Sequence, residues 1–411
     1  MKYVYITLLL SLSFGTAFPI YLFGRQYNIQ YAEIVLIIAL LVLIINSMFN
    51  KLTAYHDDMM PFAWFFLIVW AAIAYAWAQD DIQHMGGVIG FCNGFLAYVV
   101  SINLLKKSPN SFRTAQRLFM LSLVVQLAIN LLPALMITNY WSSFYGIKGY
   151  AVTAMGGSNY IAIYFGFVLL YEFSKKTKDS LFWGMLAGIG LIMTLSRAGL
   201  LASGIAICFA IVTEIRKPHL KKIAYIFCIL GAIIIFTFLT PLGDILVQAM
   251  TNLSSASSWL SRKKLWSDAW AEFITAPIIG HGLQWKGDPH NIFLRAPRDL
   301  GILGAIPCYA ILLIPLINLI RLKHTKFKKE LIDMEVKALF FGYLSILIHS
   351  FVEPFFFGSA SQIWLGALLA YITTVRKIYG SFGGNLVDIR KNPLSALIKA
   401  DGIRCISQKG T

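Results

Sequence analysis

Three residues far apart in the chain have side chains suited to handling an anion beside a hydroxyl: Arg197, Arg262 and His290. Arg197 stands in Thr194-Leu-Ser196-Arg197-Ala-Gly199, a turn that joins two apolar runs with almost no loop. A guanidinium there is costly unless water or an anion meets it, and its planar fork matches phosphate oxygens. The plainer alternative is an arginine snorkelling to headgroups. Arg262 opens Arg262-Lys-Lys-Leu-Trp266, with Asp268 and Glu272 at helical spacing. This pattern predicts an amphipathic segment lying at a membrane surface. His290 sits in Asp288-Pro289-His290-Asn291. Histidine titrates near neutrality and can take a proton from a hydroxyl, and Pro289 restricts the backbone before it. A nearby Arg197 or Arg262 is expected to lower its pKa and keep it neutral.

Other ionisable residues gather around these. His281 lies between Gly280 and Gly282, and Arg295 and Arg298 add cations just after His290 and Asn291. Pro297 with Asp299 reads as the first turn of a membrane span. His349 and Glu353 are four apart near the end of an apolar run, a spacing that lets them face each other on a helix. Intramembrane ionisable groups are functional candidates by default. The chain has no GxxxxGK[ST], HExxH or GxSxG motif and no Asp-x-Asp. The spacing of His281, Asp288 and His290 matches no zinc pattern. The expectation is chemistry without ATP, without metal and without a cofactor, on a substrate that arrives already activated.

The elements that position these residues follow from hydropathy. The chain has 411 residues, 58% hydrophobic and only 13% charged, with mean hydropathy +0.69; soluble domains carry roughly 25% charged residues. Apolar runs long enough to cross a bilayer predict an all-α integral membrane protein of about twelve transmembrane helices. They fall at 3–23, 32–49, 61–78, 87–105, 118–138, 158–173, 180–195, 198–215, 223–240, 298–320, 335–352 and 361–375. The organisation is spans one to nine over 1–240, a loop or lid over 241–300, spans ten to twelve over 301–375, and a basic tail over 376–411. The first run follows Lys2, is longer than the usual apolar core of a signal peptide and is followed at once by another span, so it is expected to be retained.

Alternate short loops are basic: Lys106, Lys107, Arg113 and Arg117; Lys175, Lys176 and Lys178; Arg216 to Lys222; Arg321 to Lys329. The positive-inside rule puts these loops and both termini in the cytoplasm. The 241–304 stretch then faces outward as a lid over the mouth that Arg197 reaches. The net charge of +16 serves topology and anionic headgroups, so nucleic acid is not an expected partner.

Ser196-Arg197-Ala198-Gly199 at a hairpin, Arg262 to Trp266, Pro277-Ile-Ile-Gly280-x-Gly282, and His290-Asn291-x-x-Leu294 leading to Leu300-Gly301-Ile-Leu-Gly304 occur in that order. Together they resemble the O-antigen ligase and polymerase superfamily of bacterial membrane glycosyltransferases, over about residues 155–355. The resemblance implies transfer of a glycan from undecaprenyl diphosphate to a sugar hydroxyl at the outer face of the inner membrane. His290 would be the catalytic base, and Arg197 and Arg262, helped by Arg295 and Arg298, would hold the diphosphate. Asn291, His281, His349 and Glu353 would support them. The acceptor would be lipid A-core for a ligase or another carbohydrate for a polymerase; a lipid-linked oligosaccharide flippase is the alternative outside enzymes.

Overall fold

A computed structural model of the chain describes residues 1–22, 25–49, 59–79, 81–136, 148–175, 177–214, 257–283, 287–324 and 330–380. The expected ninth span (223–240), the aromatic residues Tyr140, Trp141 and Tyr145, and most of the basic tail lie outside these. The described helices are α1 (Lys2–Ser11), α2 (Tyr31–Phe49), α3 (Met60–Ala74), α4 (Asp81–Lys107), α5 (Ser111–Met136), α6 (Ser158–Phe173), α7 (Lys178–Met193), α8 (Arg197–Glu214), α9 (Ser257–Thr275), α10 (Ile292–His324), α11 (Glu330–His349) and α12 (Ser359–Gly380). Among the described residues, four stretches are long and apolar enough to cross a membrane: Met60–Trp77, Gln83–Lys107, Ser111–Pro133 and Ile292–His324. The protein is a multi-pass α-helical membrane protein.

The first apolar run departs from the expected single span. α1 stops at Ser11, and Thr16–Leu22 (β1) pairs antiparallel with Arg25–Gln30 (β2), from Thr16 opposite Gln30 to Leu22 opposite Arg25. Gly15 takes φ +65°, and Pro19 inside a helix would lose a backbone hydrogen bond. A short apolar run cannot by itself separate strand from helix.

α6 is the central helix, buried at nearly every position from Ile161 to Glu172. It packs on α7, α8 and α11, while α4 lies along α12 and α3 along α10. The bundle has two chemically different ends. One end holds Arg113, Arg117 and Glu172, with Arg117 Nε 2.8 Å from Glu172 Oε1, and a buried Lys175–Glu335 ion pair. The other end gathers the start of α6, the start of α8, the start of α10 and the end of α11.

At that second end two loops are locked together through their backbones. His281 N donates to Arg298 O (3.1 Å), Gly282 N to Asp299 O (2.7 Å) and Ile302 N to Pro277 O (2.8 Å). Leu283 N donates to Nδ1 of the fully buried His84 at 2.8 Å, which ties the same loop to α4. The break in α10 falls at Gly301 (φ 63°, ψ −174°), and Pro297 lies within the helix before it rather than opening the span. Gly301 is needed twice over: its φ is left-handed, and an added Cβ would come 2.1 Å from Ile278 O. Gly301→Ala is therefore expected to cost at least about 2 kcal/mol, read as a lowered midpoint of thermal unfolding in detergent. Gly204→Ala, where nothing lies within 4 Å of an added Cβ, should leave the midpoint in place.

Candidate functional site

The site is assembled from four chain segments that meet at the end of the bundle opposite the Arg117 cluster. The α7–α8 hairpin brings Arg197. Thr194 Oγ1 accepts from Ser196 N at 3.3 Å, and Ser196 Oγ accepts from Gly199 N at 3.2 Å, capping α8. Gly199 has an added-Cβ clearance of only 2.5 Å to Ala162 Cβ. Gly199 thus admits the close approach of α6.

Asn159, in the first turn of α6, is the junction. Its Oδ1 accepts from Ser196 Oγ (2.8 Å) and from Lys148 Nζ (3.2 Å), and its Nδ2 donates to Glu353 Oε2 (2.8 Å). Glu353 is 3% exposed, and its Oε1 lies 3.5 Å from His290 Nδ1, an ion-pair distance. A continuous polar chain therefore runs from the residue next to Arg197 to His290.

His290 is held by the loop before it. Asp288 Oδ1 accepts from His290 N at 2.8 Å, and Trp266 of α9 donates its indole N–H to Pro289 O at 2.7 Å. Asn291 Oδ1 accepts from Phe293 N at 2.8 Å, starting α10, and Ile292 N donates to Ser350 O at 3.1 Å. Among the described residues other than glycine, positive φ occurs at Leu195 and His290, both at 52°. Such backbone strain concentrates at functional sites, and here it lies on the two segments that carry Arg197 and the imidazole.

The helical spacing at Arg262 is realised as α9. Arg262 is within electrostatic reach of His290, His349 and Lys148, and Arg197 is within reach of Lys148. Arg197, Arg262 and His290 thus share one neighbourhood, although their positions span nearly a hundred residues.

The remaining candidates take other places. Arg295 Nη1 donates to Asp288 Oδ2 (2.8 Å) and its Nε to Asp299 Oδ2 (3.3 Å), with the guanidinium 4.3 Å over the Phe357 ring. Arg298 Nε donates to Asp299 Oδ1 and its Nη1 to Gly287 O, both at 2.7 Å. Both side chains are almost wholly buried. His281 Nε2 lies 2.9 Å from Glu272 O and 3.0 Å from Thr275 Oγ1, tying its loop to the end of α9. His349 and Glu353 do not form the expected facing pair. Glu353 N still donates to His349 O at 3.0 Å, one turn past the end of the helix, but the Glu353 carboxylate engages Asn159 and His290 instead.

Two residues of the network were not singled out from the sequence. Lys148 carried a signal: it is the only lysine or arginine between Arg117 and Lys175. Asn159 carried none beyond being a polar residue at the mouth of a span.

The electrostatics of His290 reverse the sequence expectation. The Glu353 carboxylate is the strongest influence and raises the imidazole above its ordinary 6.5; burial, and then Arg262, oppose it without prevailing. Since this pKa is raised on folding, the pair's contribution to stability is complete below the unfolded value and is lost as pH rises through the folded one. Glu353→Gln should move the titration of His290 to lower pH. Peptide-resolved modification by diethylpyrocarbonate across pH reads this directly, because only the neutral ring reacts; an unmoved midpoint would contradict the pairing.

Residues 182–309 match the family model described as Wzy_C: O-Antigen ligase. No curated protein matches the chain. The matched stretch contains Arg197, Arg262, His281, His290, Asn291, Arg295 and Arg298; Lys148, Asn159, His349 and Glu353 lie outside it.

Proposed function

From a chain whose residues 182–309 are those of the O-antigen ligase superfamily, which comprises membrane glycosyltransferases of ligase or polymerase type, we propose a specific reaction. A glycan carried on undecaprenyl diphosphate is transferred to a sugar hydroxyl at the outer face of the bacterial inner membrane. The single observation that carries this reading is the meeting of the Arg197 and Arg262 segments with a carboxylate-paired His290 at one end of the bundle.

In the proposed step the acceptor oxygen attacks the anomeric carbon of the donor sugar. Its proton passes to His290 Nε2. The bond from that carbon to the diphosphate oxygen breaks, and the electron pair stays on the phosphate. Glu353, facing Nδ1, favours the tautomer with the proton on Nδ1 and the lone pair on Nε2, and the raised pKa makes that lone pair a stronger base. A positioned general base contributes about 10²–10⁴-fold. Arg197 and Arg262 act where negative charge grows on the leaving diphosphate. We assign Arg295 and Arg298 to bracing the His290 loop, because Asp288, Asp299 and Gly287 O already engage their nitrogens.

The end that holds Arg113, Arg117 and Lys175 belongs with the basic short loops, which supports a cytoplasmic placement for that end, with both termini on the same side and the site facing out. The ionisable network sits at helix ends rather than at the bilayer centre, where a lipid-linked oligosaccharide transporter would place its binding groups. Between the two glycosyltransferases we favour the ligase, with lipid A-core as acceptor, since one dominant outer loop suits a large acceptor.

His290→Ala and Arg197→Ala should each lower glycan transfer at least about a hundredfold while protein levels stay intact; full activity in both would overturn the mechanism. The lipopolysaccharide ladder of a deletion strain separates the two reactions. A ligase defect leaves bare core with polymer on the carrier lipid, and a polymerase defect leaves core bearing one repeat.

A further inference from the structure

Tyr160 follows Asn159 in the first turn of α6 and differs from the other tyrosines of that helix. Tyr164 donates its hydroxyl to Gln116 O at 2.6 Å, and Tyr171 donates to Glu335 Oε1 at 2.7 Å; both are buried. A packed tyrosine ordinarily gives its hydroxyl such a partner. Tyr160 is half-buried, and its hydroxyl makes no hydrogen bond among the described residues.

The ring is nevertheless held in place. Gly156, at φ 131°, lies beside its base, where an added Cβ would come 3.5 Å from Tyr160 Cβ and 3.6 Å from Cγ. Gly358 lies beside its edge, where an added Cβ would come 3.6 Å from Tyr160 Cε1. Gly358 belongs to the turn between α11 and α12, and the same turn carries Glu353. The charged groups in electrostatic reach of the phenol are Glu353, Asp288 and Arg295. Glu353 and Asp288 are the two carboxylates that engage His290, one at Nδ1 and the other at the backbone N–H. Tyr160 therefore stands on the His290 side of the site. Carboxylates repel phosphate oxygens and accept from hydroxyls, so this flank suits a neutral sugar rather than the leaving diphosphate.

Resting on the glycosyl-transfer reading above, we propose that Tyr160 is a specificity-determining contact for the acceptor, its hydroxyl bonding a sugar hydroxyl near the one that attacks. A phenol donates and accepts, so it meets a sugar hydroxyl in either sense. It is neutral at pH 7 and does not compete with His290 for the acceptor's proton. Because the ring is already set, little side-chain freedom is lost when the acceptor arrives. The contact is the same before and during the reaction, so it acts on acceptor binding and not on the chemical step.

The test measures initial rates of the full-length protein in proteoliposomes, with rough lipopolysaccharide as acceptor and O-antigen polymer on undecaprenyl diphosphate as donor. Tyr160→Phe should raise the KM for rough lipopolysaccharide about fivefold, the value of one neutral hydrogen bond, with kcat and the donor KM unchanged. Its midpoint of thermal unfolding in detergent should match wild type, since the deleted oxygen has no protein partner among the described residues. Tyr164→Phe, which deletes the hydroxyl on Gln116 O, should do the reverse and lower the midpoint while the acceptor KM stays in place. An unchanged acceptor KM in Tyr160→Phe, or a raised donor KM instead, overturns the assignment and leaves Tyr160 as an aromatic residue of the membrane interface. If the wild type itself transfers no glycan to rough lipopolysaccharide, the ligase reading fails and the assignment falls with it.

Discussion

The Glu353 carboxylate sets the terms for the site. A carboxylate that is almost fully buried at the end of a helical bundle must be paired or solvated by protein, and Glu353 meets this with Asn159 Nδ2 and the His290 imidazole. Each partner comes from a different element, so satisfying one buried charge brings the start of α6, the turn after α11 and the loop before α10 to a common point. The Ser196 hydroxyl, on the other face of Asn159, adds the α7–α8 hairpin and with it Arg197. The same carboxylate raises the histidine's basicity. In the proposed reaction, structural satisfaction and the preparation of a base are one interaction.

The His290 loop is over-determined. Asp288, Trp266 and Arg295 bear on it from within the loop, from α9 and from α10, and the interlock of 277–282 with 298–302 fixes the base of the same structure. That many constraints explain how His290 persists at φ 52°, a conformation that costs about 1–3 kcal/mol for a residue with a side chain. The glycines of the two interlocked loops are small because backbone passes backbone there. Arg295 and Arg298, buried against Asp288 and Asp299, are part of this scaffold.

Much of this was legible in the sequence, for physical reasons that also mark its limits. Arg197, Arg262 and His290 stand out because an ionisable residue beside an apolar run carries a cost that asks for an explanation. The α9 helix follows from the spacing of Arg262, Asp268 and Glu272. Tertiary pairing was less accessible. His349 was the natural local partner for Glu353, and the carboxylate finds partners 63 and 194 residues away. The sign of the His290 shift failed for the same reason, since the arginines were visible and the buried carboxylate was assigned elsewhere. The strand at Thr16–Leu22 fell within the expected first span because hydropathy registers an apolar run without its period, and Pro297, expected in the first turn of a span, lies inside a helix that breaks at Gly301.

The central claim is that Arg197, Arg262 and His290 serve one bound lipid diphosphate. A cryo-electron-microscopy structure of the solubilised protein with undecaprenyl diphosphate tests it most directly. The account predicts phosphate density between the Arg197 and Arg262 guanidiniums, on the side of Glu353 that bears His290. Phosphate density at the opposite end of the bundle, beside Arg113 and Arg117, with Arg197 and Arg262 contacting protein alone, would contradict it.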